Sequence, residues 1–278
     1  MYNKFLVEKI IKNALIEDMN YGDTTTDLLI DDSSVSEAYM VAKESGVIAG
    51  LYVAERVFKL LDENIVFKVL KKDGTLVEKG EKISEIKGST KNILKGERLA
   101  LNLLQRMSGI ASASRKYADL VKNYETRIVD TRKTTPNLRI LEKYAVGVGG
   151  CYNHRFNLSD AVMIKDNHIK AVGSIKTAVR KIRENIPHTT KIEVEVTSLK
   201  ELEEALDIGA DIIMLDNMDL DNMKRAVEIT KGRAILEASG NITLERIKDI
   251  ATIGVDVISV GALTHSVKAM DISLMMMD

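Results

Sequence analysis

Tryptophan is absent, cysteine occurs once, proline twice, and aromatic residues make up only 4% of the 278 residues. The lone Cys151 has no internal partner, so no disulfide framework holds the fold, which fits a reducing compartment. With only Pro136 and Pro187, and no Ser- or Gly-rich tract, the chain has no extended linker and any domain boundary is compact. Charge of one sign is lacking too. Forty Lys and Arg face 41 Asp and Glu, which excludes a global pull toward nucleic acid or a membrane surface. No apolar run approaches the roughly 20 residues needed to span a bilayer. The opening MYNKFLVEKIIKNALIEDM has no signal-type apolar core. A cytoplasmic protein is expected. Repeats and low-complexity tracts are likewise missing.

What is present is a 45% hydrophobic content, in a chain long enough for one barrel-type domain with a smaller companion. Phe5, Leu6, Ile10 and Ala14 predict an opening helix, and Ala54, Val57, Phe58 and Leu61 a second. Strands are expected over 36–43 and at Ile65, Phe67 and Val69, and Asp73-Gly74 and Lys79-Gly80 supply turns around a short segment. The first hundred residues thus read as α+β. A long helix follows from Asn92 through Met107, with Gly109 as an expected break.

Beyond this point strand-like runs alternate with helices. The runs are RIVDT (127–131), AVMIK (161–165), KIEVEV (191–196), DIIMLD (211–216), RAILEAS (233–239) and DVISVG (256–261). Ser174, Ser198 with Glu201, and Thr243 mark helix starts between them. Such parallel βαβ units, six strands long, predict a closed or nearly closed barrel, with an open doubly wound sheet as the structural alternative.

A parallel barrel carries its site at the C-terminal ends of its strands. Those ends are Asp130-Thr131-Arg132-Lys133, Lys165-Asp166-Asn167-His168, Glu193 and Glu195, Asp216-Asn217, Glu237 with Ser239-Gly240, and Gly261. A single charged strand end is usually just solvated. Six in succession describe a polar mouth. Within 130–170, Arg132, Lys133, Arg139, Lys143, Arg155, Lys165 and Lys170 outnumber Asp130, Glu142, Asp160 and Asp166, and His154 and His168 fall there too. A basic pocket on a neutral protein implies a small polyanionic ligand. Glu195 and Asp216 offer carboxylates for a divalent metal or a developing cation. The turns at Ser239-Gly240-Asn241 and Gly261-Ala262, each leading into a helix, suit a phosphate monoester.

The runs DTRKTTPNLRILEKYAVGVGGCYNHRFNLSDAVMIKDNH, EVEV, LDNM, EASGNIT and SVGALTHS resemble the quinolinate phosphoribosyltransferases, as do GDTTTD, GVIAG and ERLALNLLQRMSGIAS nearer the N-terminus. The resemblance covers nearly the whole chain in order. It implies an incomplete, seven-stranded α/β barrel (105–267) with an N-terminal α+β open-faced sandwich (1–104) joined by the C-terminal tail (268–278). The seventh strand is then expected near Tyr144 to Val148. It also implies Mg²⁺-dependent phosphoribosyl transfer from phosphoribosyl pyrophosphate to quinolinate with decarboxylation, giving nicotinate mononucleotide, pyrophosphate and CO2. The resemblance assigns Arg132, Lys133, His154, Arg155 and Lys165 to quinolinate, with Arg98 arriving from a neighbouring subunit of a homodimer or higher oligomer. Glu195 and Asp216 fall to ribose hydroxyls and metal, and Ser239, Gly240 and Gly261 to the 5′-phosphate. Lys133, Lys165, Glu195 and Asp216 are its catalytic set. Asn241 stands where many members carry a second glycine.

Three other readings compete. A paralogous barrel of the molybdenum operon would act on another anionic base, but the full basic set is present. A non-catalytic phosphosugar-binding barrel would be expected to lack Glu195, Asp216 or Lys165, and none is missing. A lipoyl- or biotin-type carrier is hinted at by DGTLVEKGEKI (73–83), which has no acceptor Lys flanked by Met or Val in a hairpin turn. The Met-rich end SLMMMD is expected to pack against the sandwich or a subunit.

Overall fold

The computed structural model describes residues 3–277; Met1, Tyr2 and Asp278, the ends of the terminal stretches considered above, lie outside the described residues. The chain opens with α1 (Lys4–Asp18), α2 (Thr24–Leu29), β1 (Val35–Ala42), β2 (Gly46–Val47), α3 (Leu51–Leu61), β3 (Val66–Val69), β4 (Leu76–Val77), β5 (Lys82–Ser89) and α4 (Thr90–Val121). It continues with β6 (Arg127–Val129), α5 (Arg139–Val148), β7 (Val162–Ile164), α6 (Asp166–Val172), α7 (Ile175–Arg183), β8 (Ile192–Val196) and α8 (Leu199–Asp207). Then come β9 (Ile212–Asp216), α9 (Leu220–Thr230), β10 (Ile235–Ser239), α10 (Ile247–Ile253), β11 (Val257–Ser259), α11 (Ala262–His265) and β12 (Ile272–Met276). Two compact units result. The first gathers the chain up to Arg115, Thr134–Gly150 and the part from Ala262 onward, and the second holds Lys116–Lys133 and Cys151–Gly261.

In the first unit four strands pair antiparallel in the order β12-β1-β5-β3. Period-2 alternation along β1 buries Ala38, Met40 and Ala42 on one face. Helix α3 buries Val53, Ala54, Val57 and Phe58, as its stripe predicts. The Met-rich end forms β12, which pairs with β1 through Leu274 and Met40. The opening helix is present, but its predicted stripe is not the one that packs. Val7 and Ile11 are buried, whereas Phe5 and Leu6 are exposed. Two adjacent apolar i, i+4 rows run along this helix, one through Leu6, Ile10 and Ala14 and one through Val7 and Ile11, and tertiary packing buries the second.

Gly109 does not break α4, which runs through it without interruption. Its role is contact: a Cβ there would lie 2.2 Å from the Lys268 carbonyl oxygen. The glycine lets the C-terminal segment lie directly on the helix backbone. Gly109→Ala is therefore expected to destabilise the protein by about 1–3 kcal/mol, read by denaturant unfolding, with earlier proteolytic release of the segment from Lys268. Unchanged stability would contradict this packing.

The second unit is a parallel sheet in the order β6-β11-β10-β9-β8-β7. Strands 7 to 11 follow sequence order, and the first strand, β6, pairs with the last, β11. That cyclic order is the signature of a barrel, because a doubly wound sheet reverses its order at a switch point. The stretch expected to supply a seventh strand, Tyr144 to Val148, is instead part of helix α5. Leu141, Ala145 and Val146 give this segment a helical stripe that its glycines obscured. A single parallel bridge, Val129 with Tyr152, stands beside β6 in place of that strand. Among the described residues no ladder joins it to β7, so the barrel is incomplete. Ser174 and Ser198 cap α7 and α8 as expected, each accepting the amide of the residue three positions on. Thr243 precedes a single 3-10 turn and makes no side-chain cap. Among the described residues no helix is long and apolar enough to cross a membrane.

Candidate active site

The alternation in IEVEV sends Val194 and Val196 to the buried outer face of the sheet and leaves Glu193 and Glu195 on the other. Register carries the pattern across the strands: Glu195 lies beside Met214, Met214 beside Glu237, and Asp216 beside Ser239. These residues line a cavity of about 600 Å³ at the C-terminal end of the sheet. Thr131, Arg132, Lys133, His154, Arg155 and Lys165 line it from the loops after β6, Tyr152 and β7. The volume suits a small-molecule ligand.

At its base is a buried cluster. His154 Nε2 lies 3.3 Å from Glu193 Oε2 and 3.4 Å from Glu237 Oε2. Burial opposes charge on the ring, but the two carboxylates outweigh it and push His154 up to about 10. Burial also raises Glu193, and Glu237 adds to that, while His154 pulls it down. In this pose Nδ1 accepts the Arg155 amide at 2.7 Å, so the ring is neutral with its proton on Nε2 between the carboxylates. The imidazolium that the two carboxylates favour forms only when the ring turns away from that amide. The three ligand atoms lie within 4.8 Å of one another, yet an Nε2 that carries hydrogen has no lone pair for a metal. The cluster holds protons.

Fully buried Asp130 sets this loop in place, accepting the Asn153 side chain and the His154 amide at 2.8 Å each. Arg155 donates to the Ala161 carbonyl at 2.9 Å, and burial, then the nearby Arg132, pull it below its ordinary value. Two guanidinium groups that repel one another in a part-buried cavity are stabilised by an anion. Lys165, just after β7, pairs with Glu195 of the neighbouring β8 at 2.9 Å. The cavity lining thus combines cationic side chains with carboxylates and small turns. Burial, with Asp130 adding to it, pushes the Cys151 thiol up to about 12, so it is no nucleophile.

Residues 23–108 match the family profile described as quinolinate phosphoribosyl transferase, N-terminal domain, and residues 110–275 match the C-terminal domain of the same family. The chain belongs to the quinolinate phosphoribosyltransferase family. A protein of Bacillus subtilis, named a probable carboxylating nicotinate-nucleotide pyrophosphorylase, is 46% identical over 98% of this chain and 94% of its own. The chloroplastic carboxylating nicotinate-nucleotide pyrophosphorylase of Arabidopsis thaliana is 42% identical, covering 96% of this chain and 82% of its own. The crystal structure of NadC from Streptococcus pyogenes superposes with a TM-score of 0.95 at 45% identity, over 100% of this chain and 99% of that one.

As a quinolinate phosphoribosyltransferase chain, it brings together most of the residues its sequence singled out. Arg132, Lys133, His154, Arg155, Lys165, Glu195, Asp216, Ser239 and Gly240 all line the one cavity. Gly261 is not among the lining residues, and Ser259, two positions earlier, is. Arg98 is exposed on α4, in the first unit. The basic run of 130–170 is also smaller at the site than its count implied. Lys143 is fully buried on α5 and Arg139 bonds Thr134, both within the first unit. Lys170 pairs with Asp166, and His168 Nδ1 accepts the Lys165 amide at the start of α6. Glu193, Glu237, Asp130 and Asn217 were named at the strand ends of the polar mouth, but no role was assigned to them. For the two glutamates the signal was in the sequence: a carboxylate one step below a strand end, at period two, faces the barrel interior.

Proposed function

We propose that the protein transfers phosphoribose from phosphoribosyl pyrophosphate to quinolinate and decarboxylates the product to nicotinate mononucleotide, releasing pyrophosphate and CO2. The observation that carries this reading is that one cavity of a family member is lined both by Arg132, Lys133, His154 and Arg155 and by Glu195, Asp216 and the Ser239-Gly240 turn. Quinolinate has two adjacent carboxylates, and a fork of guanidinium groups beside a lysine suits both. The ring nitrogen attacks the anomeric carbon as pyrophosphate leaves. The pyridinium so formed stabilises by its positive charge the electron pair left on the adjacent ring carbon when the neighbouring carboxylate departs as CO2, and that carbon then gains a proton. Lys165 is placed to neutralise substrate charge, and Glu195 and Asp216 to hold ribose hydroxyls and favour a positive anomeric centre. Holding both substrates in line supplies much of the acceleration. The relatives are carboxylating pyrophosphorylases, which favours this reading over the molybdenum-operon alternative.

Mg²⁺ belongs to the proposal as a partner of the diphosphate. Glu195 and Asp216 provide hard oxygen donors on adjacent strands, but Glu195 is already paired with Lys165 and Asp216 with Asn217. Such a pair fits an ion held chiefly by substrate phosphates and is too small for an all-protein cage. The ion would offset charge on the leaving pyrophosphate. We also propose a homodimer or larger assembly, with Arg98 contributed to the partner's cavity. Exposed Phe5, Tyr21, Leu28 and Leu29 in the first unit provide apolar surface for a second copy. A cytoplasmic address fits the single thiol. The test is product analysis: with quinolinate, phosphoribosyl pyrophosphate and Mg²⁺, nicotinate mononucleotide and CO2 are expected. Preferred use of nicotinate, without CO2, would overturn the substrate assignment.

A further inference from the structure

Two residues at the cavity rim other than glycine have left-handed backbones, Asn217 at φ 55° and Asn241 at φ 48°. Asparagine tolerates this region better than most residues, yet the conformation still needs support from its surroundings. Here the support is mutual. Asn217 Nδ2 donates to Asp216 Oδ2 at 3.0 Å, while Asn217 Oδ1 accepts from Asn241 Nδ2 at 3.0 Å. The Asn217 amide also donates to the Ser239 carbonyl at 3.0 Å. The carboxamide orientation is self-consistent, since flipping it would set its oxygen against the Asp216 carboxylate and its NH2 against that of Asn241.

The same side chain explains Gly240. A Cβ there would lie 2.3 Å from Asn217 Oδ1 and 2.5 Å from its Cγ, so the Asn217 carboxamide lies against the turn backbone. We infer that Asn217 is a positioning residue that ties Asp216 to the Ser239-Gly240-Asn241 turn, setting the orientation of the ribose-binding carboxylate and the phosphate-binding turn with one carboxamide. This deepens the proposed function and rests on it. It also gives Asn241 a purpose: where a second glycine would leave the turn untethered, Asn241 supplies the donor that closes the link.

Because Asn217 is exposed, its side chain contributes little to global stability, and its effect is expected on one substrate only. Asn217→Gly keeps the left-handed backbone and removes the link. The KM for phosphoribosyl pyrophosphate is expected to rise about 10-fold or more, as for a lost hydrogen bond to a charged group, with the quinolinate KM and the Tm near wild type. Adding Asn241→Gly to Asn217→Gly should have little further effect, because both act through one link. An unchanged KM for phosphoribosyl pyrophosphate, an equal rise in both KM values, or fully multiplicative effects in the double variant would overturn the inference. Wild-type enzyme is assayed alongside. If it makes no nicotinate mononucleotide, the proposed function fails and takes the inference with it. If it turns over normally and Asn217→Gly matches it, the inference alone fails.

Discussion

Arg132→Ala is expected to lower kcat/KM for quinolinate by about 100- to 1,000-fold, with unfolding behaviour close to wild type. Arg132 is only half-buried and sits beside Arg155, so its loss relieves repulsion between the two guanidinium groups while removing a fork for the substrate carboxylates. Arg132→Lys should restore only part of the loss, because a point charge cannot make the bidentate contact. Lys165→Ala should match it in size but free Glu195 from its ion pair. Steady-state kinetics in quinolinate decides: wild-type rates in either alanine variant would remove these side chains from the site.

The second large effect is on stability. His154→Ala leaves Glu193 and Glu237 buried without the ring N–H between them, each already with one oxygen that has no hydrogen-bond partner. Removing one member of a buried charged cluster costs about 3–5 kcal/mol, a fall in Tm of roughly 10 °C for a chain of this size. The wild-type cluster also carries a pH signature. His154 is raised from an ordinary 6.5 to about 10, so the folded state binds more protons than the unfolded one between those values. Its stabilisation is therefore complete below pH 6.5 and is lost as pH rises through about 10. In the Glu193→Gln, Glu237→Gln double variant that decline should vanish. Thermal melts from pH 6 to 10.5 measure it, and an equal decline in both proteins would place the titration elsewhere.

How much of this was legible beforehand depended on whether the signal was local. All six parallel strands were visible because apolar runs ending on polar or glycine residues recur with capped helices between them. The helix over Arg139–Val148 was not, since Gly147, Gly149 and Gly150 break the pattern that Leu141, Ala145 and Val146 carry. Gly109 looked like a break because its reason for being glycine, the Lys268 carbonyl, lies far away in sequence. The packing face of α1 was misplaced for the same reason: only tertiary contacts choose Val7 and Ile11 over Leu6 and Ile10.

The site followed the same rule. Strand-end residues such as Lys165, Glu195 and Asp216 could be named because the fold type dictates where strand ends point. Lys143 could not be separated from them by composition, though it is buried on a helix of the first unit. The histidine cluster needed three-dimensional register as well, since Glu193 and Glu237 lie on β8 and β10 with β9 between them. Asn217 needed its backbone angle, which no residue count reveals.

One cavity in the second unit is expected to receive quinolinate on its cationic side chains and phosphoribose on its carboxylates and small turns. A crystal structure of the quinolinate complex tests it most directly. Both carboxylates are expected on the side chains of Arg132, Lys133 and Arg155, with the ring nitrogen turned toward Glu195 and Asp216. Quinolinate bound outside this cavity, or inside it with its carboxylates on the Ser239-Gly240 turn, would contradict it.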